Sequence, residues 1–131
     1  MENNFLLYNE ASALKQLGFN DTCVAYFTAY KELRFDYIGF PKNTDTSFII
    51  SNYITAPLYT QAIKWFRKHK KLSGSTKHYA SGSFTFEIQK HNGDATGWTK
   101  LTDFLNKSYY TEEDAQLALI QKLIEYSKDI Q

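Results

Sequence analysis

A helical hydrophobic period and a strand-like one follow each other in the middle of this chain. Leu58, Ala62, Trp65, Phe66 and His69 recur at three- and four-residue spacing, which lines them up on one face of a helix. Phe84, Phe86 and Ile88 then alternate with Thr85, Glu87 and Gln89, which puts them on one face of a strand. A chain of 131 residues that switches period this quickly, with no internal repeat or low-complexity segment, is expected to form one compact α+β domain over 1–131.

The punctuation around these two segments gives an order of elements. Asn9 is placed to cap a helix over Glu10 to Leu17, stopped by Gly18, with Ala13, Leu14 and Leu17 facing inward. Thr22 to Tyr30 is rich in β-branched and aromatic residues and reads as a strand. Arg34 to Phe40, ended by Pro41, reads as a second strand, and Phe48-Ile49-Ile50 as a short third one. Thr55-Ala56-Pro57 has the form of a helix start, and the central helix should run to Lys71, ahead of Gly74. His91-Asn92-Gly93-Asp94 is a turn into a partner strand over Trp98 to Phe104. Thr111 then caps a last helix whose Glu112, Glu113 and Asp114 sit at the positive end of its dipole. That helix buries Ala115, Leu119, Leu123 and Tyr126, with Ile120 and Ile124 widening its apolar face. The expected fold is an antiparallel sheet of four to five strands with three helices, in the order α-β-β-(β)-α-β-β-α, the sheet packed against the central and last helices.

Composition narrows the setting. Ten Phe, ten Tyr and two Trp supply a core, while two Pro and six Gly leave little for linkers. No run of eighteen apolar residues exists to span a membrane. Phe5-Leu6-Leu7-Tyr8 is too short for a signal-peptide core, and the single cysteine, Cys23, allows no internal disulfide. These features suit a cytoplasmic protein in a reducing compartment.

Charge gives the one functional lead. The net charge of +1 hides a basic middle: between Asp45 and Glu87 there is no acidic residue, where the composition would place about four. The same stretch holds Lys64, Arg67, Lys68, Lys70, Lys71 and Lys77. Lys64, Arg67, Lys68 and Lys71 keep helical spacing and form a stripe opposite the apolar face, with Lys70, Lys77 and Tyr79 beside it. Such a stripe is either a solvated helix face or a contact for phosphate or an acidic protein surface, and the exposed aromatics expected at Tyr59 and Tyr79 could stack on bases. The chain from Leu101 onward carries six acids against three lysines, so the stripe could also meet that surface in the same chain or in a second copy.

Other reactive residues form no chemical pattern. His69, His78 and His91 lack the spacing of paired metal ligands. Cys23 sits in an apolar run, as a packed small hydrophobe does. Ser73-Gly74-Ser75-Thr76 reads as a loop and Ser81-Gly82-Ser83 as a strand edge, since neither has the glycine-lysine spacing of a phosphate loop. Glu112, Glu113 and Asp114 are neighbours at a helix start, whereas paired catalytic carboxylates face each other across a cleft. No cofactor, metal site or catalytic residue is expected, and no motif of the common RNA-binding modules is present.

Two segments carry a resemblance. The run Ala56-Pro57-Leu58-Tyr59-Thr60-Gln61-Ala62-Ile63-Lys64-Trp65-Phe66-Arg67 and the run from Tyr110-Thr111-Glu112-Glu113-Asp114 to Glu125 resemble segments of small phage and prophage proteins of Bacteroidetes. In those proteins the two segments flank a β-hairpin, and the likeness covers the chain from Ala56 onward. The resemblance implies a setting and no catalytic residues. Small proteins of that setting often bind host machinery, including nuclease-based immunity, as anti-CRISPR proteins do. The expectation is a non-catalytic anti-defence inhibitor that engages a host defence protein or nucleoprotein through the basic helix face, RNA being one contact. The alternative is a single-stranded nucleic-acid-binding module with no protein target.

Overall fold

The structure is a computed structural model that describes residues 4–35, 42–43, 53–103 and 108–129. The chain divides into two compact units, Met1–Leu58 and Tyr59–Gln131.

The first unit holds α1 (Tyr8–Gln16) and three two-residue strands, β1 (Tyr26–Phe27), β2 (Leu33–Arg34) and β3 (Ile54–Thr55). The strands pair antiparallel in the order β2-β1-β3, with Tyr26 opposite both Arg34 and Thr55. Cys23, Ala25 and Phe27 are buried while Val24 is exposed, so the expected period of two survives where the ladder is short. The Ala25 carbonyl accepts the Ala56 N–H at 3.0 Å, and the Pro57 carbonyl accepts the Leu6 N–H at 3.0 Å. Asn9 lies inside α1, whose N-cap is Leu7, and Gly18 ends the helix with φ 101°. The strand expected to reach Phe40 runs into residues outside those described, and Phe48-Ile49-Ile50 lies wholly outside them.

The second unit is more regular. α2 (Tyr59–Trp65) continues directly into a π-helical turn (Phe66–Lys70), and Lys71 closes it in the left-handed region with φ 56° and ψ 34°. The Lys71 N–H donates to the Phe66 carbonyl, the five-residue bond of a π turn. β4 (Leu72–His78), β5 (Phe84–His91) and β6 (Trp98–Asp103) form an antiparallel sheet in that order. α3 (Glu112–Asp129) packs on β4 and β5 and meets α2, burying Ala115, Leu119, Ile120 and Leu123 against a core that includes Trp65, Phe66, Leu72 and Ile88. Each large aliphatic side chain so covered stabilises the unit by about 1.5–3 kcal/mol. Gly74 permits this approach, because a Cβ there would lie 2.7 Å from Leu119 Cδ1 and 3.2 Å from Leu123 Cδ1. Thr111 caps α3 as expected, its Oγ1 accepting the Asp114 N–H at 3.1 Å.

The α+β class holds, with three helices among the described residues. In place of one sheet of four to five strands, the described strands form two three-stranded sheets. The central helix starts at Tyr59, not at Thr55, because Thr55 is taken into β3 and is buried. Among the described residues β4, whose Ser-Gly-Ser-Thr run was expected as a loop, is an edge strand that pairs with β5 alone, which tolerates weak strand formers. No helix among the described residues is long and apolar enough to cross a membrane.

Candidate functional site

At the C-terminal end of α2 and its π turn, Lys64, Arg67, Lys68 and Lys71 line a cleft of about 430 Å³ with His91 and Trp98 as its other lining residues. All four cations are exposed, and among the described residues none of them pairs with a carboxylate. Cations at a helix C-terminus are individually favourable because they offset its partial negative charge of about one half. Four of them exceed that partial charge several-fold, so the cleft keeps a strongly positive field.

The sheet builds the opposite wall. His91 ends β5 and Trp98 begins β6, and the two stand directly opposite in register. The Lys71 carbonyl accepts the His91 N–H at 3.0 Å, which ties the end of the π turn to the end of β5. Trp98 meets the His91 ring edge to face, with centroids 4.9 Å apart and planes at 87°. The Arg67 guanidinium lies 5.8 Å from the Trp98 ring centre, within reach of a cation–π interaction. His91 Nδ1 accepts the Gly93 N–H at 2.9 Å, so the proton of the neutral ring sits on Nε2.

The loop between His91 and Trp98 is internally braced. The Asn92 N–H donates to the Gly97 carbonyl at 2.8 Å, and the Asn92 side chain bonds Thr96 at 2.9 Å and Thr99 at 2.7 Å. The Thr96 hydroxyl and N–H both donate to Asp94 and hold its carboxyl below the ordinary carboxylate value. Trp98 is thus positioned by a hydrogen-bonded turn, not by a long slack loop.

Of the residues expected to contact a partner, the structure brings together Lys64, Arg67, Lys68 and Lys71 and leaves three elsewhere. Lys70 sits over Trp65, its Nζ 5.8 Å from the ring centre. Lys77 lies on β4 and pairs with Glu87, which Lys100 also approaches at 3.3 Å. The hydrogen bond from Lys77, helped by Lys100 and Gln89, holds the Glu87 carboxyl below its ordinary value against the opposing effect of partial burial. Tyr79 belongs to the β4–β5 turn, its N–H donating to the Ser83 carbonyl at 2.9 Å. Tyr59, expected as an exposed stacking surface, is 5 % exposed, because it opens α2 on the buried side.

Two lining residues, His91 and Trp98, were not singled out from the sequence, where they read only as a turn and a strand start. The signal available was their position: each flanks the turn that closes the β5–β6 hairpin. The acids of α3, Glu112, Glu113 and Asp114, are exposed and are absent from the cleft lining. His78 stacks on Phe84 at 4.6 Å, His69 lies 5.4 Å from the Trp65 ring, and Cys23 is buried with its thiol 3.6 Å from the Asp21 carbonyl. Among the described residues no three His, Cys, Asp or Glu side chains converge as metal ligands would. No model of a known protein family, no curated protein and no solved structure matches this chain.

Proposed function

We propose that this chain is a non-catalytic phage or prophage accessory protein that inhibits a host defence nucleoprotein in the bacterial cytoplasm by engaging its nucleic-acid component through the basic cleft. The observation that carries this reading is the lining itself: four exposed cations, an indole and an imidazole, with no carboxylate among them. Such a surface draws phosphate, and lysine and arginine gain from releasing its counterions. The phage setting comes from the resemblance of the Ala56–Arg67 and Tyr110–Glu125 runs. A cleft lined this way offers a partner charge and a flat ring more readily than a nucleophile with its base, which favours binding over catalysis.

The test is capture of the tagged chain's partner from host lysate, with and without nuclease, beside the triple variant Lys64→Glu, Lys68→Glu, Lys71→Glu. A single protein retained by the parent and lost by the variant is the expected result. Equal capture by both removes the cleft as the contact. The presence of Trp98 in the wall favours a second reading, an independent module for single-stranded nucleic acid. Recovery of nucleic acid alone, abolished by nuclease, would establish that reading in its place.

A further inference from the structure

We infer that the cleft receives one nucleotide whose base is unpaired, the base lying on the Arg67 guanidinium and the phosphate among Lys64, Lys68 and Lys71. This deepens the proposed function and rests on the cleft being an anion site. The first argument is size. A volume of about 430 Å³ lies in the range of small-molecule pockets, and is a place for one nucleotide and not a track for a duplex. The second is the pairing of Arg67 with Trp98. The Arg67 guanidinium is an exposed plane in the lining, 5.8 Å from the Trp98 ring centre, and bases stack on guanidinium planes as they do on aromatic rings.

The third argument is pre-ordering. Trp98 is held edge-on by His91, and His91 is held at Nδ1 by the Gly93 N–H, at the end of a turn whose polar groups bond each other. The wall is built before any ligand arrives, so little ordering is lost on binding. The same hydrogen bond leaves His91 Nε2–H as a donor on a residue of the lining, suited to a phosphate or base oxygen. Lys64, Lys68 and Lys71 act as point charges that accept a phosphate without demanding a fixed approach. A duplex keeps its base faces stacked, so it can satisfy the lysines and not the Arg67 plane.

The experiment titrates the intact chain at low salt with a short single-stranded oligonucleotide, the matching duplex and a nucleoside monophosphate, following fluorescence polarisation and tryptophan emission. The single strand should bind at least about tenfold tighter than the duplex. Arg67→Lys keeps the charge and loses the plane at an exposed position, and should cut single-strand affinity about tenfold while leaving duplex affinity alone. Monophosphate binding as tight as the oligonucleotide supports the pocket and makes a free nucleotide its source. Monophosphate binding far weaker than the oligonucleotide supports it with a strand as source. Equal affinity for strand and duplex, unchanged in Arg67→Lys, overturns base recognition and leaves the cleft as a phosphate contact. No binding of any of the three, while the triple charge-reversed variant still loses its captured partner, overturns the nucleotide and points to an acidic protein face.

Discussion

Two groups of basic residues lie on the β4–β6 unit, and they differ in one respect. Lys77 and Lys100 close on Glu87, while Lys64, Arg67, Lys68 and Lys71 surround a cleft with no acid among its described lining residues. Glu87 and His91 are both on β5, four residues apart, which is about 13 Å along a strand. That separation exceeds the screening length of about 8–10 Å in ordinary salt. One carboxylate therefore neutralises its own neighbourhood and leaves the cleft untouched. A lysine's availability is set by the acid within its reach, which linear density of charge along the chain does not reveal.

The largest effect should come from reversing each group in turn. Lys64→Glu with Lys68→Glu and Lys71→Glu is expected to weaken binding of a single-stranded oligonucleotide on the order of 100-fold and to lower its salt slope by about 2, three contacts being removed. Lys77→Glu should change binding by less than about threefold, because Lys77 stands opposite Thr85, six residues along β5 from His91 and beyond a screening length. The second variant should instead lose about 1 kcal/mol of stability, since it sets a carboxylate against Glu87 in place of a cation. Polarisation titrations over a salt series, with urea melts of both proteins, measure all four quantities. Equal loss of binding in the two variants would merge the groups into one surface and end the distinction.

A smaller effect tests why the cleft holds a lysine where the backbone asks for glycine. Lys71 occupies the left-handed region at the end of the π turn, a position where a side chain costs about 1 kcal/mol and where glycine is usual. Strain of that kind persists where the side chain has a use. Lys71→Gly should raise stability by about 1 kcal/mol in thermal melts and weaken anion binding severalfold. Lys71→Ala keeps the strained backbone without the charge, so it should bind as weakly as Lys71→Gly while gaining no stability. A Lys71→Gly protein that binds as well as the parent would mean that the strain serves the fold and not the cleft.

How much of this was legible in the sequence follows the range of the interactions. The Thr111 cap and the apolar face of α3 are local, and both stand where the residues place them, except that Tyr126 is half-buried and Ser127 is buried beside it. The stripe of Lys64, Arg67, Lys68 and Lys71 was also legible, although the helix beneath it ends in a π turn that its residues do not announce. β4 was missed because Ser73, Gly74, Ser75 and Thr76 have turn-like chemistry, and only pairing with β5 and the closeness of Leu119 make them a strand. Thr55 looked like a helix cap because its partners in β1 lie far back in the chain. Trp98 entered the cleft through register. It stands opposite His91, and an irregularity farther along β6 puts Lys100 opposite Gln89 and Thr102 opposite Ile88, so that Leu101 is passed over. The Trp98–His91 pairing itself follows from the turn between them. Nothing local announces that the Lys71 carbonyl will hold the end of β5 against the π turn, so the cations of the site were legible and its aromatic wall was not.

The smallest effect belongs to Glu87, the acid that holds Lys77 and Lys100. Its carboxyl is held below the ordinary value in the folded chain, chiefly by the Lys77 hydrogen bond, and returns to that value on unfolding. A depressed folded pKa contributes stability that is fully present above the ordinary carboxylate range. That contribution is lost as pH falls through the range toward the folded value, where the carboxylate is protonated in both states. The lysine side chains are about half exposed, 52 % for Lys77 and 45 % for Lys100, so solvent screens the pair. Glu87→Gln should therefore lower stability by only about 0.5 kcal/mol near pH 7, and the gap to the parent should close as the melts are repeated below the carboxylate range. The same variant releases Lys77 and Lys100, the second only two residues from Trp98 on β6, about 7 Å along the strand. Oligonucleotide affinity should rise by less than about threefold at ordinary salt, and the rise should grow as salt is lowered and screening weakens. A rise of tenfold or more at ordinary salt would show Lys77 and Lys100 taking phosphate themselves, with Glu87 acting as a local competitor for the partner.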